Sequence, residues 1–144
     1  MKSKPRILIE KEEVSLTMEK INEAQGVGKT GSDFPKRAKE MKKIGIKTYY
    51  FNAITGLRIY ESVSGQKFED SVPGEQIFVT VVVSKEKLQY AIKIHQNGET
   101  LFPAFKKQAV EAGVNNWTAD FERMVVDYFD AKGNLILSEP ISKI

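Results

Sequence analysis

One feature constrains this chain more than any other: part of it is written twice. Phe34-Pro35, nine residues, Gly45-Ile46, two residues and Tyr49 recur as Phe102-Pro103, nine residues, Gly113-Val114, two residues and Trp117. The steps from 34 to 102, from 45 to 113 and from 49 to 117 are each 68 residues, and the same step carries Tyr60 to Tyr128 and Gly65 to Gly133. One helix upstream the step is 67, where Glu19-Lys20-Ile21 meets Glu86-Lys87-Leu88 and Gly31 meets Gly98. Each match falls on a position that decides local structure: a helix start, a helix stop, an aromatic on the next strand, a hairpin glycine. Self-similarity of this kind is the mark of a duplicated supersecondary unit.

Within each unit the apolar spacing predicts two helices followed by strands. The first helix spans about Leu16 to Gln25, with Leu16, Ile21 and Ala24 inward. The second opens at Ser32-Asp33, whose side chains are suited to cap free backbone N–H groups, and carries Pro35 in its first turn, where no donor is needed. Phe34, Ala38, Met41 and Ile44 point inward, and Gly45 stops it. The third helix follows Ser84 and ends near Gly98, with Leu88, Ala91, Ile92 and His95 on one stripe. The fourth opens near Thr100, buries Phe102, Phe105, Ala109 and Ala112, and stops at Gly113. Strands are expected at 46–54, 57–63, 67–72, 77–83, 114–121, 124–129 and 135–141, separated by Gly-containing or Asp-rich turns. The expected fold is α+β: two pseudo-repeated helix-helix-β-hairpin units, about 16–72 and 84–141, forming an antiparallel sheet covered by helices. Residues 1–13 read as an N-terminal extension, and 14–144 as a single domain of ordinary size.

Composition narrows the function classes. The chain has 144 residues and no cysteine, which excludes disulfides, Cys-ligated zinc and thiol nucleophiles, and fits a reducing, cytoplasmic location. No apolar run approaches membrane-spanning length, so no membrane association is expected. Net charge is +3, from 22 basic and 19 acidic side chains. Only Lys36, Arg37, Lys39, Lys42 and Lys43 cluster. Lys36, Lys39, Lys42 and Lys43 share the outer face of the second helix as candidate binding residues, and a solvated face is the ordinary role of such a row.

Gly26-Val27-Gly28-Lys29-Thr30-Gly31 resembles the end of a phosphate-binding loop. Glu23 stands where that loop needs its first glycine, and a helix rather than a strand precedes it, so it reads as a glycine linker. His95 is the sole histidine, which excludes histidine metal clusters. It is the candidate catalytic residue, placed where a helix C-terminus favours its charged form. Asp120, Glu122, Asp127 and Asp130 read as solvated hairpin charges, and no hydrolase nucleophile motif occurs. Tyr49, Tyr50, Phe51, Tyr60 and Trp117 form an aromatic set on the strands. Trp117 should fold over Phe102 or Phe105, and Tyr49 over Phe34 or Met41. No cofactor or metal is expected.

The stretch Ile92-Lys93-Ile94-His95-Gln96-Asn97-Gly98-Glu99-Thr100, then Phe102-Pro103 and Gly113-Val114 to Trp117, and the closing Tyr128-Phe129-Asp130-Ala131-Lys132-Gly133-Asn134-Leu135-Ile136-Leu137, resemble the YbcV- and YdfO-like prophage family of unknown function. Genome listings often label that family "phage envelope protein". The likeness covers about Leu16 to Ile141 and is strongest from residue 90 on. It implies a bacterial or prophage-derived α+β domain and brings no catalytic residues with it. Two functions compete. The first is a non-catalytic binding or regulatory protein whose partner is another protein, with nucleic acid the lesser candidate. The second is a small-molecule binder or minor enzyme using His95 in a cleft between the repeats. A deep concave site holding His95 and a carboxylate would favour the second.

Overall fold

Strand β1 (Ile46–Asn52) begins one residue after Gly45, whose φ of +97° turns the chain out of the preceding helix. It pairs on one side with β2 (Leu57–Ser62) and on the other with β4 (Asn116–Asp120). In the computed structural model, which describes residues 16–26, 31–71 and 82–142, β3 (Lys67–Ser71), β5 (Val125–Phe129) and β6 (Leu135–Pro140) complete one antiparallel sheet. Its order is β3-β2-β1-β4-β5-β6. Among the described residues four α-helices accompany it: α1 (Met18–Gln25), α2 (Phe34–Lys43), α3 (Lys85–Gln96) and α4 (Phe102–Glu111). The class is α+β, and among the described residues each half supplies two α-helices and then three strands.

The registers carry the 68-residue step. Tyr49 faces Tyr60 and Trp117 faces Tyr128; Phe51 faces Arg58 and Ala119 faces Val126. At the join, Tyr49 faces Ala119 and Phe51 faces Trp117, centred on the Tyr50–Thr118 pair. The hairpin turns match as well. Asn52 Oδ1 accepts from the Ile54 and Thr55 N–H groups, and Asp120 Oδ1 from those of Glu122 and Arg123, all at 2.9 Å. Gly56 has φ +81°, and Met124, 68 residues on, has φ +57°. The halves part in the last hairpin, where a bulge between Tyr128 and Phe129 sets Tyr128 opposite Leu137, while Tyr60 faces Phe68.

Alternation gives the sheet one core-facing side: Phe51, Tyr60, Trp117, Ala119, Val126, Tyr128 and Leu137 are buried there. Ile21 and Ala24 of α1, Ala38 and Met41 of α2, Leu88, Ala91 and Ile92 of α3, and Phe105, Ala109 and Val110 of α4 join the same cluster. The inward stripes expected from spacing are therefore the ones buried, with Leu16, Phe34, Ile44 and Phe102 packed at its margin. Trp117 meets Phe105 at 5.5 Å and Phe102 at 6.3 Å between ring centroids, as expected. Tyr49, packed against the cluster that holds Met41, stacks on Tyr60 at 5.0 Å.

One local expectation changes. Ser32 and Asp33 form a 3-10 turn, Gly31–Asp33, and Asp33 makes no side-chain cap to α2. Its backbone is already helical, so its carboxylate cannot reach back over the first turn as a cap in extended geometry does. Ser84 does cap α3, its Oγ accepting from Lys87 N–H at 3.2 Å. The strand expected at 77–83 and the extension 1–13 lie outside the described residues, save that Val82 and Val83 are exposed and in no strand.

Candidate functional site

A cavity of about 560 Å³ opens between the helices and the core-facing side of the sheet. Four pairs of its lining residues are 68 positions apart: Phe34 and Phe102, Arg37 and Phe105, Tyr49 and Trp117, Arg58 and Val126. It therefore straddles the join, each half contributing its helix start and its strand aromatic. The halves differ in chemistry. Where the first brings Arg37 and Arg58, the second brings Phe105 and Val126. Six rings line the space (Phe34, Tyr49, Phe102, Phe105, Trp117 and Tyr128), together with His95 and Glu139.

His95 sits in the last turn of α3 with its ring stacked on Phe105, 4.5 Å between centroids and 14° between planes. Its Nδ1 lies 3.0 Å from the Thr100 carbonyl oxygen and 3.1 Å from Thr100 Oγ1. A carbonyl only accepts, so Nδ1 carries the proton and the neutral ring presents Nε2 as an acceptor. Behind the ring, a Cβ on Gly31 would run into the His95 carbonyl oxygen and Cδ2. The absence of a side chain at Gly31 is what lets the 3-10 turn close against α3. Burial pushes the imidazole below its usual proton affinity; the Thr100 carbonyl opposes this, and the charge of Arg37 adds to it. The expectation that the helix end would favour the charged form is thus reversed. Loss of hydration outweighs a helix-end effect worth a fraction of a kcal/mol to about 1.

Arg37 lies with its guanidinium 5.7 Å from the Phe34 ring centroid; burial lowers its proton affinity and Asp33 opposes that. Arg58 donates from Nε and Nη2 to the two Asp70 oxygens, both at 2.7 Å, which raises its proton affinity. Burial, and next the neighbouring Tyr60, hold the Tyr49 phenol well above its usual range. Burial and then Glu139 do the same for Tyr128, so both rings are neutral walls at physiological pH. Gln25 Nε2 donates to Tyr60 Oη at 2.8 Å, tying the end of α1 to the sheet.

The sequence candidates separate here. His95 is in the cavity. Lys36, Lys39, Lys42 and Lys43 are exposed on α2, while Arg37, counted with them in the basic cluster, turns into the cavity. Three of the four hairpin carboxylates are occupied elsewhere, since Asp120 and Asp130 accept turn N–H groups and Asp127 pairs with Arg123 and Ser138, and Glu122 is exposed. Sequence reasoning missed Arg37, Arg58 and Glu139 as site residues. For the two arginines the signal was available, since each stands at an offset position where the other half is apolar. Among the described residues no His, Cys, Asp or Glu cluster suits a metal ion, and no helix is long and apolar enough to cross a membrane.

No curated protein matches this sequence. Residues 22–140 match the family model described as "Protein of unknown function (DUF1398)", and because that span is most of its length, the chain belongs to that family.

Proposed function

We propose that this protein binds a small, largely apolar molecule in the cavity at the join of its two halves. The observation that supports this best is a space of about 560 Å³ to which both halves contribute, walled by six aromatic rings with His95, Arg37 and Glu139 among them. Small-molecule sites have this size and this mixture, an apolar wall with a few placed polar groups. The reading favours the cleft function over the macromolecular one, which rests on four exposed lysines. Any chemistry at the site would fall to His95, as a neutral acceptor held in one tautomer. The two halves read as copies of one unit that have diverged at this site. The resemblance to YbcV- and YdfO-like proteins supports a bacterial, prophage-derived origin, and the cysteine-free composition supports a cytoplasmic one.

Trp117 is the only tryptophan and lines the cavity. Its indole N–H therefore gives one resolved signal in a nitrogen–proton correlation spectrum. Titration with 2-methoxynaphthalene should shift that signal saturably. An indole signal that stays in place to the solubility limit would overturn the reading.

A further inference from the structure

The identity of the ligand's polar group follows from which hydrogen-bonding capacities the cavity leaves open. Resting on the cavity reading above, we propose that the ligand is a neutral hydroxyaromatic molecule whose hydroxyl donates to Nε2 of His95 while its ring lies against Phe102, Phe105 and Trp117.

The acceptor is built in. Thr100 fixes the tautomer, Phe105 fixes the ring plane, and Gly31 admits the ring to its place. Nε2 has no hydrogen-bond partner among the described residues, and it is not among the side-chain atoms sealed from solvent without one. A ligand that covers it without a donor leaves a desolvated acceptor unpaired, which sites of this kind penalise strongly.

Charge argues against an anion. Among the described residues the charged groups lining the cavity beside His95 are Arg37 from α2, which acts on the imidazole directly, Arg58 from β2 and Glu139 from β6. Arg37 feels the charge of Asp33, and Arg58 is held by both oxygens of Asp70. Among the described residues two cations are thus set against three carboxylates, with the Tyr49 and Tyr128 phenols neutral. A carboxylate ligand would have no proton to offer Nε2, and an ammonium would face Arg37. A hydroxyl offers its proton to the imidazole and its lone pairs toward the guanidinium side. The ring takes the half of the cavity where Phe105 and Val126 replace the arginines.

The test compares 2-naphthol, 2-methoxynaphthalene and 2-naphthoate by calorimetry at pH 8 on the full chain, with the Trp117 indole signal as a second readout. The preference for 2-naphthol over the methyl ether should fall about tenfold in His95→Phe, which keeps the stacking partner and removes the acceptor. If that variant fails to fold, the wild-type chain carries the test. Its preference should disappear on acidification, as a proton on Nε2 turns the acceptor into a donor. Unchanged preference in His95→Phe, a preference that survives acidification, or tightest binding of 2-naphthoate would overturn the proposal while leaving the cavity reading in place. Absence of binding by all three would overturn both.

Discussion

Phe51 and Trp117 face each other across the β1–β4 pair, their ring centroids 5.0 Å apart and their planes tilted by 46°. Phe51 is fully buried; Trp117 is 5 % exposed and touches Phe102, Phe105 and Tyr128 as well. Trp117 thus joins the halves through Phe51 and lines the cavity with its own ring.

Trp117→Ala should cost about 3–5 kcal/mol, as truncation of a core aromatic does. That is a large share of the stability of a domain this size. Urea unfolding followed by circular dichroism measures it. Trp117→Phe should recover most of the loss. A Trp117→Ala variant as stable as wild type would place the indole outside the core.

Gly113 and Gly45 both sit near φ +98°, yet they should not respond alike to alanine. A Cβ at Gly45 meets open space, whereas at Gly113 it falls 2.8 Å from Val83 Cα and 3.0 Å from Val82 O. Gly45→Ala should cost about 1–2 kcal/mol, from backbone strain alone. Gly113→Ala should cost clearly more, and equal losses in chemical unfolding would contradict the crowding argument.

His95 should make stability depend on pH in a defined direction. Its folded proton affinity is depressed, so below about pH 6.5 the unfolded chain takes up the proton more readily than the folded one. The stabilisation from a neutral His95 is complete above that value and is lost as pH falls toward the folded titration point. Comparing the Tm of wild type and His95→Gln between pH 7.5 and 5 isolates it from the carboxylates. Wild type should lose more on acidification than the variant, and the reverse ordering would refute the assignment.

Lys36, Lys39, Lys42 and Lys43 should be interchangeable with glutamine without effect on the cavity. Each exposed substitution is expected to change stability by no more than about 0.5 kcal/mol. If these lysines do hold nucleic acid, gel retardation should be strong at low salt, should weaken steeply as salt rises, and should vanish in the fourfold variant. No retardation of either DNA or RNA at low salt is the expected result.

Helix boundaries were legible in the sequence because they are set by local backbone chemistry. Pro35 and Pro103 suit a first turn, and Gly45 and Gly113 adopt conformations that other residues resist. Burial stripes were legible for the same reason, through spacing alone. Ser32-Asp33 misled, because a capping composition does not distinguish an extended cap from a 3-10 turn already in helical geometry. His95 misled differently: its position at a helix end is local, but burial against Phe105 and the charge of Arg37 are long-range. The cavity was not legible, because it is lined by residues far apart in the chain, where Arg37 and Arg58 of one half meet Phe105 and Val126 of the other.

The β1–β4 pairing is its own mirror in sequence, since Thr48 faces Asp120 and Asn52 faces Asn116 at the same offset about Tyr50 and Thr118. That is the geometry of an isologous subunit contact, contained within one polypeptide. Without that pairing the edges of β1 and β4 would be open templates for another strand. Joining both halves in one chain fixes that partner permanently. It also lets the cavity at the join hold different chemistry on its two sides, Arg37 and Arg58 on one and Phe105 and Val126 on the other, which a symmetric dimer of identical subunits cannot do.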